Sequence, residues 1–353
     1  MPFAKKPTES KSQINRAGTV LANGGPVQAL PGAVALVKKW RACHAYPINT
    51  FQATLRVRLK RDFSGKSIVA QRLKRMPTVV DKLRRERHKN MMLTRMHDIG
   101  GVRAVVDSMA DVKRLVEQYK DISRLDHELL REYDYIQSPR DEDGYRSIHL
   151  IYKYKNKRNP EYDGLLLELQ IRTRLQHLWA TAVETMGTYL KQPLKSREGS
   201  KEWLEFFATT SSAFACMEST APLPKHRGLS RKKIFATVSA MNRKFQFLDK
   251  MSGYSMAIDM ISSEDQKIWA YHLIVLNPQN ETVAVYPYKR ENIEQALDAY
   301  EEIESQAADG KSVEAVLVSA GPLEVLRQAY PNFFLDIRGF VKRVQNIVRK
   351  SAN

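Results

Sequence analysis

The stretch LLLELQIRT, residues 165–173, alternates at period two. Leu167, Leu169 and Ile171 fall on one side, and Glu168, Gln170 and Arg172 on the other. An extended strand sorts side chains in this way, so the chain must build a sheet with an apolar face to cover. The opposite face carries a carboxylate, an amide and a guanidinium in a row. Most such faces are simply wetted, so this row gains meaning only from what else the sheet carries. A second stretch, MHDIGGVRAVV (96–106), sets Asp98 at the mouth of another strand, beside two glycines. Aspartate is depleted in strands, and glycine at a strand start marks a place where something approaches the backbone closely.

Around these two runs the pattern predicts helices broken near Pro47, a short strand over 69–75, and a helix from Pro77 with Thr78 as its N-cap. GVRAVVD is a strand, MADVKRLVEQYKD an amphipathic helix, and ELLREYDYI and YRSIHLIYKYK two further strands. A long helix follows from Arg172, and another covers roughly 201–220. Helices mixed with consecutive late strands predict an α+β fold with a mixed β-sheet flanked by helices. APLPKHRG (221–228) concentrates proline, glycine and charge and is the best boundary. Beyond it, a helix near 231–250, strand-like runs YSMAIDMI, IWAYHLIVLN, TVAVYPY, VEAVLVSA and NFFLDI, and an acidic helix ENIEQALDAYEEIESQ predict a second, smaller α/β domain. The expected division is a flexible tail over 1–31, one domain over 32–222 and another over 229–353.

The 353 residues carry 57 Lys and Arg against 39 Asp and Glu, a net charge of +18. That excess suits phosphate-rich partners, nucleotides or nucleic acid, although a solvated cationic surface gives the same count. Cys43 and Cys216 form no CxxC pair, which argues against a zinc site or disulfide framework and fits a reducing cytoplasm. The first residues have no apolar core of a secretory signal, and no run of 18 apolar residues predicts a membrane span.

Two more clusters bear chemistry. In RLKRMPTVVDKL (72–83), Arg72 and Lys74 share one side of a strand and Lys82 lies on the helix that follows. A helix N-terminus favours anions, so the cluster reads as a polyphosphate cradle or as plain surface basicity; no Walker loop is present. In DYIQSPRDEDGYRSIHL (134–150), Tyr145 enters a strand from a Pro- and Gly-bounded loop and is placed to stack on a base. His149 is a candidate ligand, though a lone strand histidine is more often structural.

Taken in order, RLKRMPTVVDKL, DIGGVRAVV, DYIQSPR…GYRSIH and ELQIRT…HLWA resemble the synthetase domain of the RelA/SpoT family over about residues 50–195. The resemblance implies a nucleotidyltransferase-type fold and a pyrophosphokinase, an enzyme that moves the β,γ-diphosphate of ATP to the 3′-hydroxyl of GDP or GTP, making the alarmone (p)ppGpp and releasing AMP. It implies Asp98 as a Mg²⁺ ligand, which suits the preference of that ion for one or two carboxylates plus phosphate oxygens. Glu168 then matches the second essential carboxylate, a base or metal ligand for the acceptor hydroxyl. Arg72, Lys74, Lys82 and Arg103 would hold ATP. Tyr145 would stack on the acceptor base, with His149, Gln170 and Arg172 beside it.

Asp141, Glu142 and Asp143 depart from the pattern, since acids beside an acceptor pocket repel nucleotide phosphates. The helix QHLWATAVETMGTYL resembles a branch that includes toxic small synthetases, some of which pyrophosphorylate the 3′ end of tRNA. Fused relatives there carry a C-terminal domain that restrains the enzyme until a protein regulator, sometimes from a phage, binds it. The expected partners are therefore ATP, GDP/GTP or a tRNA 3′ end, and a regulator on the C-terminal domain, with no membrane. An inactive RNA- or ribosome-binding module is the reading of another class.

Overall fold

The structure is a computed structural model. It describes residues 3–25, 27–63, 65, 67–85, 91–121, 126–189, 194, 199–245, 247–248, 269–277, 282–308, 313–319 and 337–352. Two expectations lie wholly or largely outside these residues: the strand at 254–261 and the strand at 332–337.

A five-stranded mixed sheet organises the first part of the chain. Its strands are β1 (Ile68–Leu73), β2 (Gly100–Val106), β3 (Glu128–Asp134), β4 (Ile148–Lys153) and β5 (Leu166–Thr173), in the spatial order β1-β2-β5-β4-β3. Only the β2–β5 pair is parallel. The apolar side of the alternation does what period two demands: Leu167, Leu169 and Ile171 are fully buried. They pack with Val102, Ala104 and Leu150 against α3 (Ala45–Asp62) and α5 (Met109–Lys120), through Phe51, Leu55, Leu115 and Tyr119.

The expected flexible tail is instead structured. Residues 11–23 form α1 (Lys11–Asn23), started by a capping box in which Ser10 and Gln13 satisfy each other's backbone. Its Ile14 and Ala17 join a core with Ala33, Val37 and Trp40 of α2 (Leu30–Ala42) and Val79 of α4 (Met76–Arg84). Polarity of composition concealed a short apolar stripe that needs only one neighbouring helix to cover it. The break between α2 and α3 falls at Cys43–His44, and Pro47 sits inside the first turn of α3, where it removes no intrahelical bond. Thr78 is not a cap: α4 starts two residues earlier, behind Arg75, with Pro77 fixing the first turn.

Helices α6 (Arg174–Tyr189), α7 (Lys201–Met217), α8 (Arg231–Phe245) and α10 (Arg338–Ala352) form a bundle around Trp179, Phe207, Phe214, Val238 and Phe340. One core therefore runs across the boundary expected at 221–228, and α10 was not foreseen. A second sheet, β7-β6-β8, is antiparallel: β6 (Tyr271–Asn277), β7 (Thr282–Tyr288) and β8 (Glu314–Ser319), covered by α9 (Ile293–Ala308). No helix among the described residues is long and apolar enough to cross a membrane.

The two glycines of the opening motif differ in purpose. A Cβ on Gly100 would lie 3.0 Å from Ile48, so this glycine serves the packing of α3 against the sheet. A Cβ on Gly101 meets nothing nearer than 3.8 Å. Gly100→Ala should therefore cost about 1–3 kcal/mol in urea unfolding, as overpacking does, whereas Gly101→Ala should unfold nearly as the parent does. Equal midpoints for the two variants would contradict this assignment.

Candidate active site

The strand register assembles the polar face in two rows. Arg72, Gly101, Glu168 and Ile151 face one another across β1, β2, β5 and β4. The next row holds Arg103, Gln170, His149 and Tyr133, reaching β3 at the sheet edge. This face is not open solvent: Glu168, His149 and Arg172 are all buried. Buried charges persist only when partnered, and the partners form a chain.

Gln170 donates from Nε2 to Glu168 Oε2 at 2.6 Å and accepts from Arg103 Nε at 3.4 Å. Glu168 Oε1 lies 2.9 Å from His149 Nδ1, and His149 Nε2 lies 2.8 Å from the Tyr145 hydroxyl. Burial alone would push His149 down, but Tyr145 and Glu168 outweigh it and raise it to about 9. Burial likewise pushes Glu168 up, and the facing His149 brings it down to about 2. At neutral pH this is a buried imidazolium–carboxylate pair with both imidazole nitrogens donating. For Tyr145 the burial penalty is again overcome, by the His149 and Arg172 cations, to about 8.

The second pole lies at the other side of the row. Asp98 precedes β2, and its carboxylate takes Lys74 Nζ on Oδ2 and Lys82 Nζ on Oδ1, each at 2.9 Å. One lysine leaves the end of β1 and the other comes from the last turn of α4. Burial pushes Asp98 up, but the two ammoniums hold it well below the usual carboxylate range. Lys74 is pulled down, mostly by its own burial. Arg72 and Arg103 are half-exposed on the same face.

All ten expected site residues thus belong to one side of one sheet or its margins, in two clusters. Arg172 is the exception in kind. Its side chain is buried beside Tyr145, with its guanidinium on His177 and its Nε without a hydrogen-bond partner. Its guanidinium faces Tyr145 and His177 rather than open solvent. The loop before Tyr145 is fixed from behind. Gly144 has φ +78°, and a Cβ there would lie 2.7 Å from Ser211 of α7. Arg146 donates to Ser211, to the carbonyl of Ile136 and to that of Ala221.

Several contributors escaped the sequence reading. Arg140 lies over the rings of both Tyr135 and Tyr145, at 4.7 and 4.8 Å. Trp179 of α6 makes an edge contact with Tyr145. His97, next to Asp98, stacks on Tyr133. No local pattern announces these contacts, because they depend on how β3 and α6 register against the loop. Groups of three or more metal-ligating side chains are absent among the described residues. Asp98 and Glu168 supply hard oxygen donors that suit a divalent cation shared with phosphates.

Residues 71–193 match the family model described as a region found in RelA / SpoT proteins. The chain is 31% identical over 126 residues to GTP pyrophosphokinase YjbM of Bacillus subtilis (strain 168), which covers 36% of this chain and 58% of that protein. It is 33% identical over 113 residues to GTP pyrophosphokinase YwaC of the same organism, covering 31% of this chain and 52% of that one. The chain thus spans about half the length of the curated relatives it matches. The crystal structure of small alarmone synthetase 1 from Bacillus subtilis aligns with 52% of this chain and 92% of its own, at 23% identity and a TM-score of 0.42.

The His149–Glu168 pair has a measurable signature. A pKa raised from 6.5 means that the imidazolium stabilises the fold fully below pH 6.5 and that this contribution is lost as pH rises through about 9. The His149 Cε1–H resonance of the metal-free protein should therefore titrate well above an ordinary histidine, and Glu168→Gln should shift its midpoint down. A His149 midpoint near 6.5 in the parent protein would refute the charged pair.

Proposed function

Starting from the RelA/SpoT region that residues 71–193 carry, we propose that the two poles of this face perform pyrophosphoryl transfer from ATP to a nucleoside 3′-hydroxyl. The acceptor oxygen attacks the β-phosphorus of ATP. The bond from that phosphorus to the α,β-bridging oxygen breaks, AMP leaves with the electron pair, and the hydroxyl proton passes to Glu168 as that bond cleaves. The observation that carries this reading is the separation of labour on one sheet face. Lys74 and Lys82, with Arg72 near them, concentrate positive charge around Asp98, while Glu168 is tied to Tyr145 through His149 and to Arg103 through Gln170.

Each residue has a role that its surroundings support. Lys74 and Lys82 neutralise Asp98 in the free protein and are placed to transfer to the phosphates of ATP, freeing Asp98 for Mg²⁺. That ion would neutralise charge on the transferred group. Arg72 and Arg103 offer charge to the same group, as phosphoryl transfer requires. Glu168 is ionised but weakly basic beside His149, so it orients the hydroxyl more than it strips it. A loose transition state tolerates this, because little proton transfer has to precede P–O cleavage. Tyr145 stacks on the acceptor base. The relatives named GTP pyrophosphokinase favour GDP or GTP as acceptor, with (p)ppGpp as product.

A second reading, that the C-terminal part restrains this site, is favoured by one contact. Arg41 of α2 donates from Nε to the carbonyl of Lys74 at 2.7 Å, and its other end meets the hydroxyl of Tyr300 at 3.0 Å and Glu304 at 3.4 Å, both on α9. Lys38 pairs with Glu301 beside it. The backbone of an Asp98-holding lysine is thereby tied to the distal α/β unit through a buried ion pair.

Two measurements test these readings. Asp98→Asn and Glu168→Gln should each lower AMP release from labelled ATP by about 10²–10⁴-fold, with unchanged circular dichroism; a folded variant near parental turnover overturns the site. Combining Tyr300→Phe with Glu304→Gln should raise basal turnover in the full chain, and a folded double variant with parental turnover removes the restraint.

A further inference from the structure

The turn that carries Asp98 also carries His97, and the two neighbouring side chains go different ways. Asp98 turns to Lys74 and Lys82. The His97 ring reaches toward the far edge of the sheet and stacks on Tyr133 of β3, 6.2 Å between centroids and 26° between planes. β2, which the turn feeds, lies three strand spacings from β3, about 14 Å, with β5 and β4 between them. His97 precedes β2, while Tyr133 belongs to the row of Arg103, Gln170 and His149, further along the sheet. The two rings can meet only if His97 folds back over the polar face. Tyr133 stands opposite His149, and His149 holds Glu168, so the contact bridges the Asp98 pole and the Glu168 cluster.

The stack leaves the edge of the imidazole free. Neither ring nitrogen has a hydrogen-bond partner among the described residues. The ring is half-buried, so a group held between the poles can reach it. Imidazole carries an N–H in either protonation state. Transfer places the β-phosphorus between the leaving oxygen on the Lys74 and Lys82 side and the incoming hydroxyl at Glu168. Charge on the transferred group lies on its non-bridging oxygens, and a donor fixed between the two poles meets it there.

We propose that His97 is a further catalytic residue, donating an imidazole N–H hydrogen bond to a non-bridging oxygen of the transferred diphosphate with its ring seated on Tyr133. No proton changes hands in this contact: the hydroxyl proton still passes to Glu168, and AMP still leaves with the electron pair. The inference rests on the transfer reading for the group that is bound, and on the His97–Tyr133 bridge for the place where it is met.

Three variants of the full chain test it. His97→Phe keeps a ring for Tyr133 and removes both nitrogens, whereas His97→Asn and His97→Gln keep an N–H donor near the Nδ1 and Nε2 positions. With ATP, Mg²⁺ and GTP, His97→Phe should lower kcat for AMP release about 10²-fold, the scale of one lost donor to developing charge, with unchanged circular dichroism. One of the two amide variants should turn over faster than His97→Phe. Calorimetric titration with inorganic pyrophosphate needs no transfer, and His97→Phe should weaken that binding about tenfold, the scale of one hydrogen bond to a charged group. A folded His97→Phe with parental kcat, two amide variants no faster than it, or a parental pyrophosphate affinity each overturns the role. If the parent protein releases no AMP, the transfer reading falls, and the pyrophosphate titration alone decides whether His97 holds a diphosphate.

Discussion

Two partnered carboxylates on one face of a sheet, Glu168 buried and Asp98 partly so, are the constraint to which the rest of the structure answers. Asp98 is held ionised by two ammonium groups, and Glu168 by an imidazolium and an amide. A buried charge stripped of its partner costs several kcal/mol, so every element that supplies a partner is fixed in position. α4 must dock so that Lys82 reaches Asp98, and β4 must register so that His149 stands opposite Gln170 and beside Glu168. The apolar side of the same strands makes this exact placement possible. Leu167, Leu169 and Ile171 lock β5 against α3 and α5, and a one-residue slip would turn Glu168 into the core.

The two partner sets differ in how they respond to a ligand. Lys74 and Lys82 are long and flexible, and a polyphosphate competes directly for their charge. Their contact with Asp98 leaves a cluster with net positive charge in the free protein. His149 and Gln170 sit within the sheet and cannot swing away, so the Glu168 cluster is rigid from the start. The Asp98 cluster thus has long side-chain partners, and the Glu168 cluster has partners fixed within the sheet. The contact of Arg41 with the Lys74 carbonyl reaches the lysine end of this face.

Much of this was legible before any coordinates. Period two in LLLELQIRT named both faces of β5, and the order of four motifs placed Asp98, Glu168, Arg72 and Tyr145 on one sheet. What could not be read depends on neighbours far along the chain. Gly100 looks like a residue for phosphate approach, yet its missing Cβ makes room for Ile48 of α3. Arg172 follows the polar alternation but is buried behind the tyrosine. The rank His97–Tyr133–Tyr135 joins residues that lie far apart in the chain, and only the assembled sheet, with the turn before β2, brings them together. α10 is a different case: Phe340, Val341, Val344 and Ile347 fall at helical spacing, so its signal was present and passed over.

The bundle that α10 completes links the acceptor end to the distal half of the chain. Trp179 contacts Tyr145 at one side and, through Phe207, shares a core with Phe340 of α10. The distal part is therefore joined to both poles, to the donor pole through the polar Arg41–Glu304 contact and to the acceptor pole through close-packed aromatic rings. A buried ion pair holds only while both charges keep their partners, whereas an apolar core resists small displacements and transmits them. The two links therefore differ in kind: the one at Lys74 is a buried ion pair leading to a single backbone carbonyl, and the one at Tyr145 is continuous ring packing.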